Sequence, residues 1–452
     1  MSFTFLDSLH LLLILYFAKT KIDEICEMTY TAYCEEGIVM KLIERTNYLQ
    51  RLMAVRDIPD IKVITGVRRC GKSKLMDAFI NQLKTETDIN IIRIKLNLKE
   101  FEQLLSADEL YRYVSQHYVD GQNNYLFIDE VQLCEGFERV INSLYEEERF
   151  DIYLTGSNAF LLSSDLATLF GGRVYEIKLF PFSFSEYLLY YPSQDLNAAF
   201  DRYVTCGGMS GSYLYRTRED AMQYVSGIYK ATIVKDIVRK FKIENEDLLI
   251  LIGNFLMDNI GSKTSIRNVA NKLTSSTYKT NDKTVGTYIS YLCRTFMFYP
   301  IQRYDIHGKK YLESEKKYYL SDLSFRFSEI GTRMADYGHL YENIVALELL
   351  RRGYEVYVGQ LYDKEIDFVA VKNGAKQYIQ VSDDISRSET FQREINPLLS
   401  IRDAYPKILL AQIRHDPMQY EGIQIRFANK DILSVHFFES FHTAIFPPRS
   451  TI

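Results

Sequence analysis

The sequence predicts an α/β protein: a parallel sheet around a phosphate loop, a helical middle, and a second α/β unit near the C-terminal end. Three stretches carry that expectation. Residues 60–65 (DIKVIT) form a short apolar run leading into Gly66-Val67-Arg68-Arg69-Cys70-Gly71-Lys72-Ser73, and residues 74–83 then show helical periodicity. Strand, glycine loop and helix in that order are the context of a P-loop. Residues 125–130 (YLFIDE) are four apolar residues closed by two acids, the pattern of a buried parallel strand. From Gly338 a helical stretch, YENIVALELLRRG, precedes the strand-like runs YEVYVGQ, KEIDFVAV and KQYIQVS.

At 452 residues the chain is too long for one compact core, and roughly two to four domains are expected. With 47% apolar and 25% charged residues, wholesale disorder is excluded. A net charge of −5 argues against coating nucleic acid through bulk positive charge, although a local basic patch stays open. Cys26, Cys34, Cys70, Cys134, Cys206 and Cys293 include no C-x-x-C pair and no His at ligand spacing. A reducing compartment is therefore expected rather than a disulfide framework or zinc ribbon. Residues 9–18 (LHLLLILYFA) fall short of the ~20 needed to cross a bilayer. They follow Asp7 with no basic stretch, which makes a poor signal peptide. Met40 opens a segment that reads like an ordinary protein start, so residues 1–39 are read as upstream sequence or an extension. A cytoplasmic protein with no membrane contact is expected.

The glycines of the loop let backbone N–H groups wrap phosphate, and the helix start adds a favourable dipole. Gly66, Arg69, Cys70, Gly71, Lys72, Ser73 and Lys74 are the candidate contacts to ATP. Lys72 is expected at the β- and γ-phosphates, and the Ser73 hydroxyl on Mg²⁺. Acids ending the YLFIDE strand fall beside the loop, where ligands sit in open α/β sheets. Asp129 is then the second Mg²⁺ residue and Glu130 the general base for the attacking water. A third strand-like run, residues 151–158 (DIYLTGSN), ends in Ser157 and Asn158, and Asn158 or Ser157 is the candidate to orient that water.

GVRRCGKS, FIDEVQ, LTGSNAFLLS and LFGGRVYEIKLFPFSFSEY occur in an order that resembles a family of bacterial and archaeal AAA+ ATPases, the "AAA domain, type fourteen" group. YVTCGGM, Lys235-Asp236-Ile237, YYLSDL and LYENIVALEL agree with it, and the likeness runs from about Met40 to Asn429. The resemblance implies a C-terminal "domain of unknown function 4143". It also implies an arginine supplied by a neighbouring subunit. Arg173, in Gly171-Gly172-Arg173, is the matching position, which requires a homo-oligomer.

The resulting division is an AAA+ core at 40–182, a helical lid at 183–247, a winged-helix domain at 248–330 and an α/β domain at 331–452. Residues 265–273 and 284–295 read as two amphipathic helices, followed by β-type segments at 297–304 and 311–320 around a turn at His307-Gly308. That is the order of a winged helix, which often lays its second helix in the DNA major groove. Lys263, Arg267, Lys272, Lys279, Lys283, Lys309 and Lys310 are candidate phosphate contacts. The same fold also docks proteins.

The last domain resembles the PD-(D/E)XK nuclease core. Glu342 matches its helix acid, Asp367 its metal-binding acid, and Gln380 the following acidic or amide position. Two carboxylates near one point suit Mg²⁺. The lysine expected two residues after Gln380 is Ser382, with Lys376 a nearby substitute. An active nuclease, a degenerate one used for binding, and an unrelated α/β domain all remain readings of this stretch. Arg351-Arg352 reads either as a phosphate contact or as a helix end complementing its dipole. The functions implied are an ATPase acting on DNA, a nucleotide-dependent protein-binding switch, or an ATP-gated nuclease.

Overall fold

The computed structural model describes residues 42–156, 170–275, 280–332, 335–412 and 418–427. The 1–39 extension, Ser157, Asn158 and Lys279 lie outside the described residues. Strands β1 (Ile61–Thr65), β2 (Ile89–Lys95), β3 (Asn123–Asp129), β4 (Phe150–Thr155) and β5 (Val174–Lys178) form a five-stranded sheet ordered β2-β3-β4-β1-β5. Every neighbouring pair is parallel, so each connection crosses over the sheet. Side chains alternate between the two faces. Ile64, Tyr125, Phe127 and Tyr153 join Phe79 of the helix Lys72–Leu83 on one side. Val63, Leu126, Ile128 and Leu154 join Ile141 of the helix Phe137–Glu146 on the other. Burial on both faces is why residues 125–128 of β3 read as a continuous apolar run, while in β1 the buried Lys62 pairs with Asp151.

The middle of the chain is helical. Helix Phe184–Tyr190 opens with a capping box, in which Ser183 accepts the Glu186 N–H and Glu186 accepts the Ser183 N–H. Helix Arg218–Ala231 continues without a break through a π-helical segment, Thr232–Val238. Helices Glu246–Asp258, Ile266–Ser275 and Asp282–Arg294 follow, then the antiparallel pair β6 (Phe298–Asp305) and β7 (Lys310–Leu320). Asp305 Oδ1 closes their turn by accepting the His307 and Gly308 N–H groups at 3.1 and 3.0 Å.

This hairpin belongs to a larger sheet. With β8 (Glu355–Leu361), β9 (Lys364–Lys372), β10 (Ala375–Ser382), β11 (Lys407–Ala411), β12 (Met418–Tyr420) and β13 (Ile423–Phe427) it forms eight strands ordered β12-β13-β11-β10-β9-β8-β6-β7. β6 runs parallel to β8, with Arg303 opposite Val358. One sheet therefore runs across residue 330, where the sequence suggests a boundary. Helix Tyr337–Arg351 lies over it and buries ten residues, Leu340 to Leu349. No helix among the described residues is long and apolar enough to cross a membrane.

Short motifs far apart in sequence meet where these parts join. Asp322 Oδ2 accepts the Gly208 N–H at 2.6 Å, and Oδ1 accepts the Ser324 N–H at 3.0 Å. Burial pushes the Asp322 carboxyl up to about 6, against those donors. Gly208 and Phe182 exchange a backbone hydrogen bond at 2.8 Å. The Asn343 side chain clasps the Leu320 backbone at both N–H and C=O, at 2.7 and 2.9 Å. At Gly208 a Cβ would stand 2.1 Å from the Phe182 carbonyl oxygen and 2.7 Å from its nitrogen. Gly208→Ala must therefore push two backbone segments apart, at an expected cost of ~1–3 kcal/mol. Urea unfolding checks it, and an unchanged midpoint would show that the contact yields freely.

Candidate functional site

The phosphate loop takes its shape from backbone geometry. Gly66 sits at φ 143°, with the Leu179 carbonyl oxygen 2.1 Å from where a Cβ would be. Arg69 at φ 66° and Gly71 at φ 104° complete the turn into helix Lys72–Leu83. That helix has no side-chain cap, so its first N–H groups remain for a ligand. Lys72 folds back over the loop, its Nζ 2.8 Å from the Gly66 carbonyl oxygen and 3.3 Å from that of Val67. Arg69, Cys70, Gly71, Lys72, Ser73, Lys74, Asp129 and Glu130 all line one cavity of about 1200 Å³. Gly66 is not among the residues that line it.

The strand order explains how the acids reach this cavity. β3 lies one strand away from β1, and β4 runs between them. Ile128 pairs with Leu154, which brings Thr155 level with Asp129. The Thr155 hydroxyl donates to Asp129 Oδ1 and accepts the Glu130 N–H at 3.2 Å. Glu130 stands at φ 57°, a left-handed conformation that costs a side-chain-bearing residue energy. The Gln132 amide donates to its carboxylate. Arg93 approaches Asp129 at 3.8 Å. Thr155 is the residue that sequence reasoning missed: the run DIYLTGSN was read through its last two residues, whereas its strand end holds both acids. Thr155→Val keeps the shape, removes the hydroxyl and leaves the buried Asp129 oxygen short of a donor. At ~1–3 kcal/mol for an unsatisfied buried group, a loss of that size in unfolding free energy is expected. Urea unfolding checks it, and an unchanged midpoint would show that Asp129 finds another donor.

Residues of the helical middle also line the cavity. Lys235, Asp236 and Arg239 face the same cavity. Arg68 makes a two-point contact with Asp236, at 2.8 and 3.1 Å. The π-helical turn carries this aspartate, and such turns recur at functional sites. Its sequence signal was the triplet Lys235-Asp236-Ile237, which by itself gave no partner.

Beneath the loop, Arg45 is buried and grips several parts at once. Its guanidinium meets both Glu186 oxygens at 2.7 and 2.8 Å, the Phe180 carbonyl at 2.9 Å and the Cys70 carbonyl at 3.3 Å. Burial opposes ionisation of Glu186, yet the Arg45 charge outweighs it and holds the carboxyl below its ordinary value. Arg351 reaches in from helix Tyr337–Arg351 to the Pro181 carbonyl at 3.3 Å and pairs with Glu348. Arg352 also pairs with Glu348, at 2.7 Å. Both arginines are thus engaged within the chain.

Arg173 lies elsewhere. It precedes β5, whose first residue pairs with Ile61 at the start of β1. The loop begins at the other end of β1, about 15 Å away at roughly 3.3 Å per residue. Arg173 pairs with Glu146 and lies 4.9 Å over the Tyr145 ring.

The C-terminal candidates come together around an unexpected residue. Lys317 Nζ, from β7, stands 2.7 Å from Glu342, 2.9 Å from Glu365 and 3.7 Å from Asp367. Tyr319 also donates to Glu342. Asp367 Oδ2 accepts the Val381 N–H at 2.9 Å, and burial, then Glu342, pushes its carboxyl well above its ordinary value. Gln380 turns away from this centre: its oxygen accepts the Asp367 N–H at 3.3 Å and its amide donates to Glu394 at 2.9 Å. Lys376 stacks over Tyr304, 4.9 Å from the ring centroid. Among the described residues, no group of three or more His, Cys, Asp or Glu is arranged to hold a metal ion.

A glycine loop between parallel strand and helix, with acids ending the next strand but one, defines a P-loop protein of the AAA type. Residues 59–188 match the family model described as AAA domain. The chain belongs to the same family as an uncharacterized protein of Haemophilus influenzae, 35% identical over 391 residues that cover 85% of this chain and 97% of that protein. An uncharacterized protein of Methanocaldococcus jannaschii is 25% identical over 378 residues, 79% of this chain and 82% of its own. Among solved structures, the Walker-type ATPase of Pyrococcus abyssi aligns with a TM-score of 0.43 at 14% identity, over 64% of this chain and 95% of that one. Residues 197–334 match a Domain of unknown function, DUF8612. This corrects the expectation of domain 4143: the matched domain bears a different name and lies in the middle of the chain.

Proposed function

We propose that the chain binds ATP with Mg²⁺ and hydrolyses it, passing the nucleotide state through lid and junction to the C-terminal sheet. The observation that carries this reading is the single cavity shared by Lys72, Ser73, Asp129 and Glu130 with Asp236 and Arg239 of the lid. Loop N–H groups and the helix start cradle the phosphates, while Lys72 exchanges the Gly66 and Val67 carbonyls for phosphate oxygens. Ser73 and Asp129 offer oxygen donors that fit Mg²⁺. Bound there, the ion would neutralise charge building on the phosphates. Glu130, its backbone held by Thr155 and its carboxylate by Gln132, takes the proton of the attacking water. Arg173 cannot reach its own loop along the strand and serves the site of a second copy.

DNA is the proposed target. The order of helices Ile266–Ser275 and Asp282–Arg294 followed by the β6–β7 hairpin is that of a winged helix, and Arg267, Lys272, Lys283, Lys309 and Lys310 are exposed on it. A protein-binding switch is the second reading. It is favoured by Lys263, which is taken up by Glu365 at 2.7 Å, and by the net charge of −5. ATP turnover with and without single- and double-stranded DNA separates the two, with Glu130→Gln as the control for contaminating activity. Turnover raised by DNA in a salt-dependent way supports the first. Turnover lost in the control but indifferent to DNA leaves the switch. Turnover that survives in the control sinks the proposal as a whole.

A further inference from the structure

A nuclease of the type resembled by the C-terminal domain holds a divalent cation between its helix acid and its strand acid. The residues at those positions here, Glu342 and Asp367, do not fit that ion, because the space between them is already taken by a cation belonging to the chain. Lys317 Nζ lies within 3.7 Å of oxygens from Glu342, Glu365 and Asp367. An ammonium has three N–H groups, and three carboxylates surround this one. An ion bound at ~2.0–2.1 Å from the Glu342 and Asp367 oxygens would press against the ammonium, two positive charges sharing one site.

We infer that Lys317 is a built-in replacement for the metal of this nuclease-like fold, so that its carboxylate centre binds no divalent cation and cuts no phosphodiester. The reading is independent of ATP hydrolysis at the phosphate loop. Three further observations bear on it. Lys317 and Glu342 are each 3% exposed, so the ammonium and the helix acid are shut off from solvent. The lysine that would assist catalysis is absent: Ser382 stands at its place, with its hydroxyl donated to the Asp384 carbonyl at 3.1 Å, and Lys376 lies on the Tyr304 ring. Finally, Lys317 comes from β7 rather than from the strands that carry Asp367 and Gln380. A lysine relocated to serve catalysis would keep its N–H groups free for water or phosphate, whereas this one donates to Glu342 and pairs with Glu365. Its positive role is to fasten the hairpin to helix Tyr337–Arg351 and to β9, as a bound metal would fasten its ligands.

The test uses the full chain, stripped with EDTA and free of nucleotide, titrated with Mn²⁺ and followed by electron paramagnetic resonance. The wild type is expected to show no Mn²⁺ signal that depends on Asp367. Lys317→Ala is expected to gain about one bound Mn²⁺ per chain once the ammonium is gone, and to lose it again in Lys317→Ala/Asp367→Asn. Lys317→Gln, which keeps bulk but not charge, provides a second variant should the alanine form fail to fold. A parallel assay offers Mg²⁺ or Mn²⁺ with duplex DNA, single-stranded DNA and RNA. The wild type is expected to leave all three intact. Mn²⁺ bound by the wild type and lost in Asp367→Asn would overturn the inference. So would metal-dependent cleavage that disappears in Asp367→Asn, which would make Lys317 a relocated catalytic lysine. A folded Lys317 variant that gains no Asp367-dependent Mn²⁺ would overturn it as well.

Discussion

Glu130→Gln is expected to lower ATP turnover by roughly 10²–10⁴-fold while leaving nucleotide affinity close to wild type. The amide has the size of the carboxylate but cannot accept the proton of water at neutral pH. The backbone that aims it is unaffected, because Thr155 holds the Glu130 N–H rather than its side chain. Binding depends on the loop, the helix start and Lys72, none of which touches the altered atoms. Two readouts divide the roles: a fluorescent ATP analogue reports affinity, and single-turnover hydrolysis reports chemistry. Turnover within about twofold of wild type would place the base elsewhere. A matching collapse of affinity would instead mean that Glu130 supports the fold of the loop.

Arg45→Ala is expected to cost ~3–5 kcal/mol of stability, the usual penalty for removing one partner of a buried ion pair. Arg45 and Glu186 have 5% and 13% of their side chains exposed, and they meet at 2.7 Å. With the guanidinium gone, Glu186 keeps only the donors of its capping box, chiefly the Ser183 N–H at 2.8 Å. The Phe180 and Cys70 carbonyls lose their donor too. Packing is lost as well, since the guanidinium carbon lies 4.6 Å from the Tyr48 ring centroid and 5.2 Å from that of Phe182. Chemical denaturation measures the loss. Arg45→Met/Glu186→Leu should recover part of it, because an apolar pair leaves no stranded charge. A loss under ~1 kcal/mol would mean that water reaches the pair and screens it.

The parts of this molecule that the sequence made legible are those written locally. The P-loop is eight consecutive residues, and β3 shows itself because its 125–128 stretch, covered on both faces, is apolar throughout. Asp129 and Glu130 follow from their position at the end of such a strand. The parts that stayed hidden depend on which strands are neighbours. Thr155 becomes important only when β4 lies between β3 and β1, and nothing in DIYLTGSN states that order. Arg68 and Asp236 are 168 residues apart, and neither carries a mark of the other. Lys317 carries no mark of its role in the sequence, because its three acids come from a helix and a strand further along the chain. The pairing of β6 with β8 was hidden for the same reason: the helix–helix–hairpin order is complete in itself and gives no hint of a further neighbour.

That pairing also sets a schedule for the molecule's birth on the ribosome. β6 and β7 emerge and can zip together early, but the flank of β6 that will meet β8 must wait for the helix Tyr337–Arg351 and the residues after it. Until then the nascent chain displays a row of unsatisfied N–H and C=O groups, a surface that welcomes any passing strand. The order of synthesis therefore leaves that flank of β6 without its partner until β8 follows.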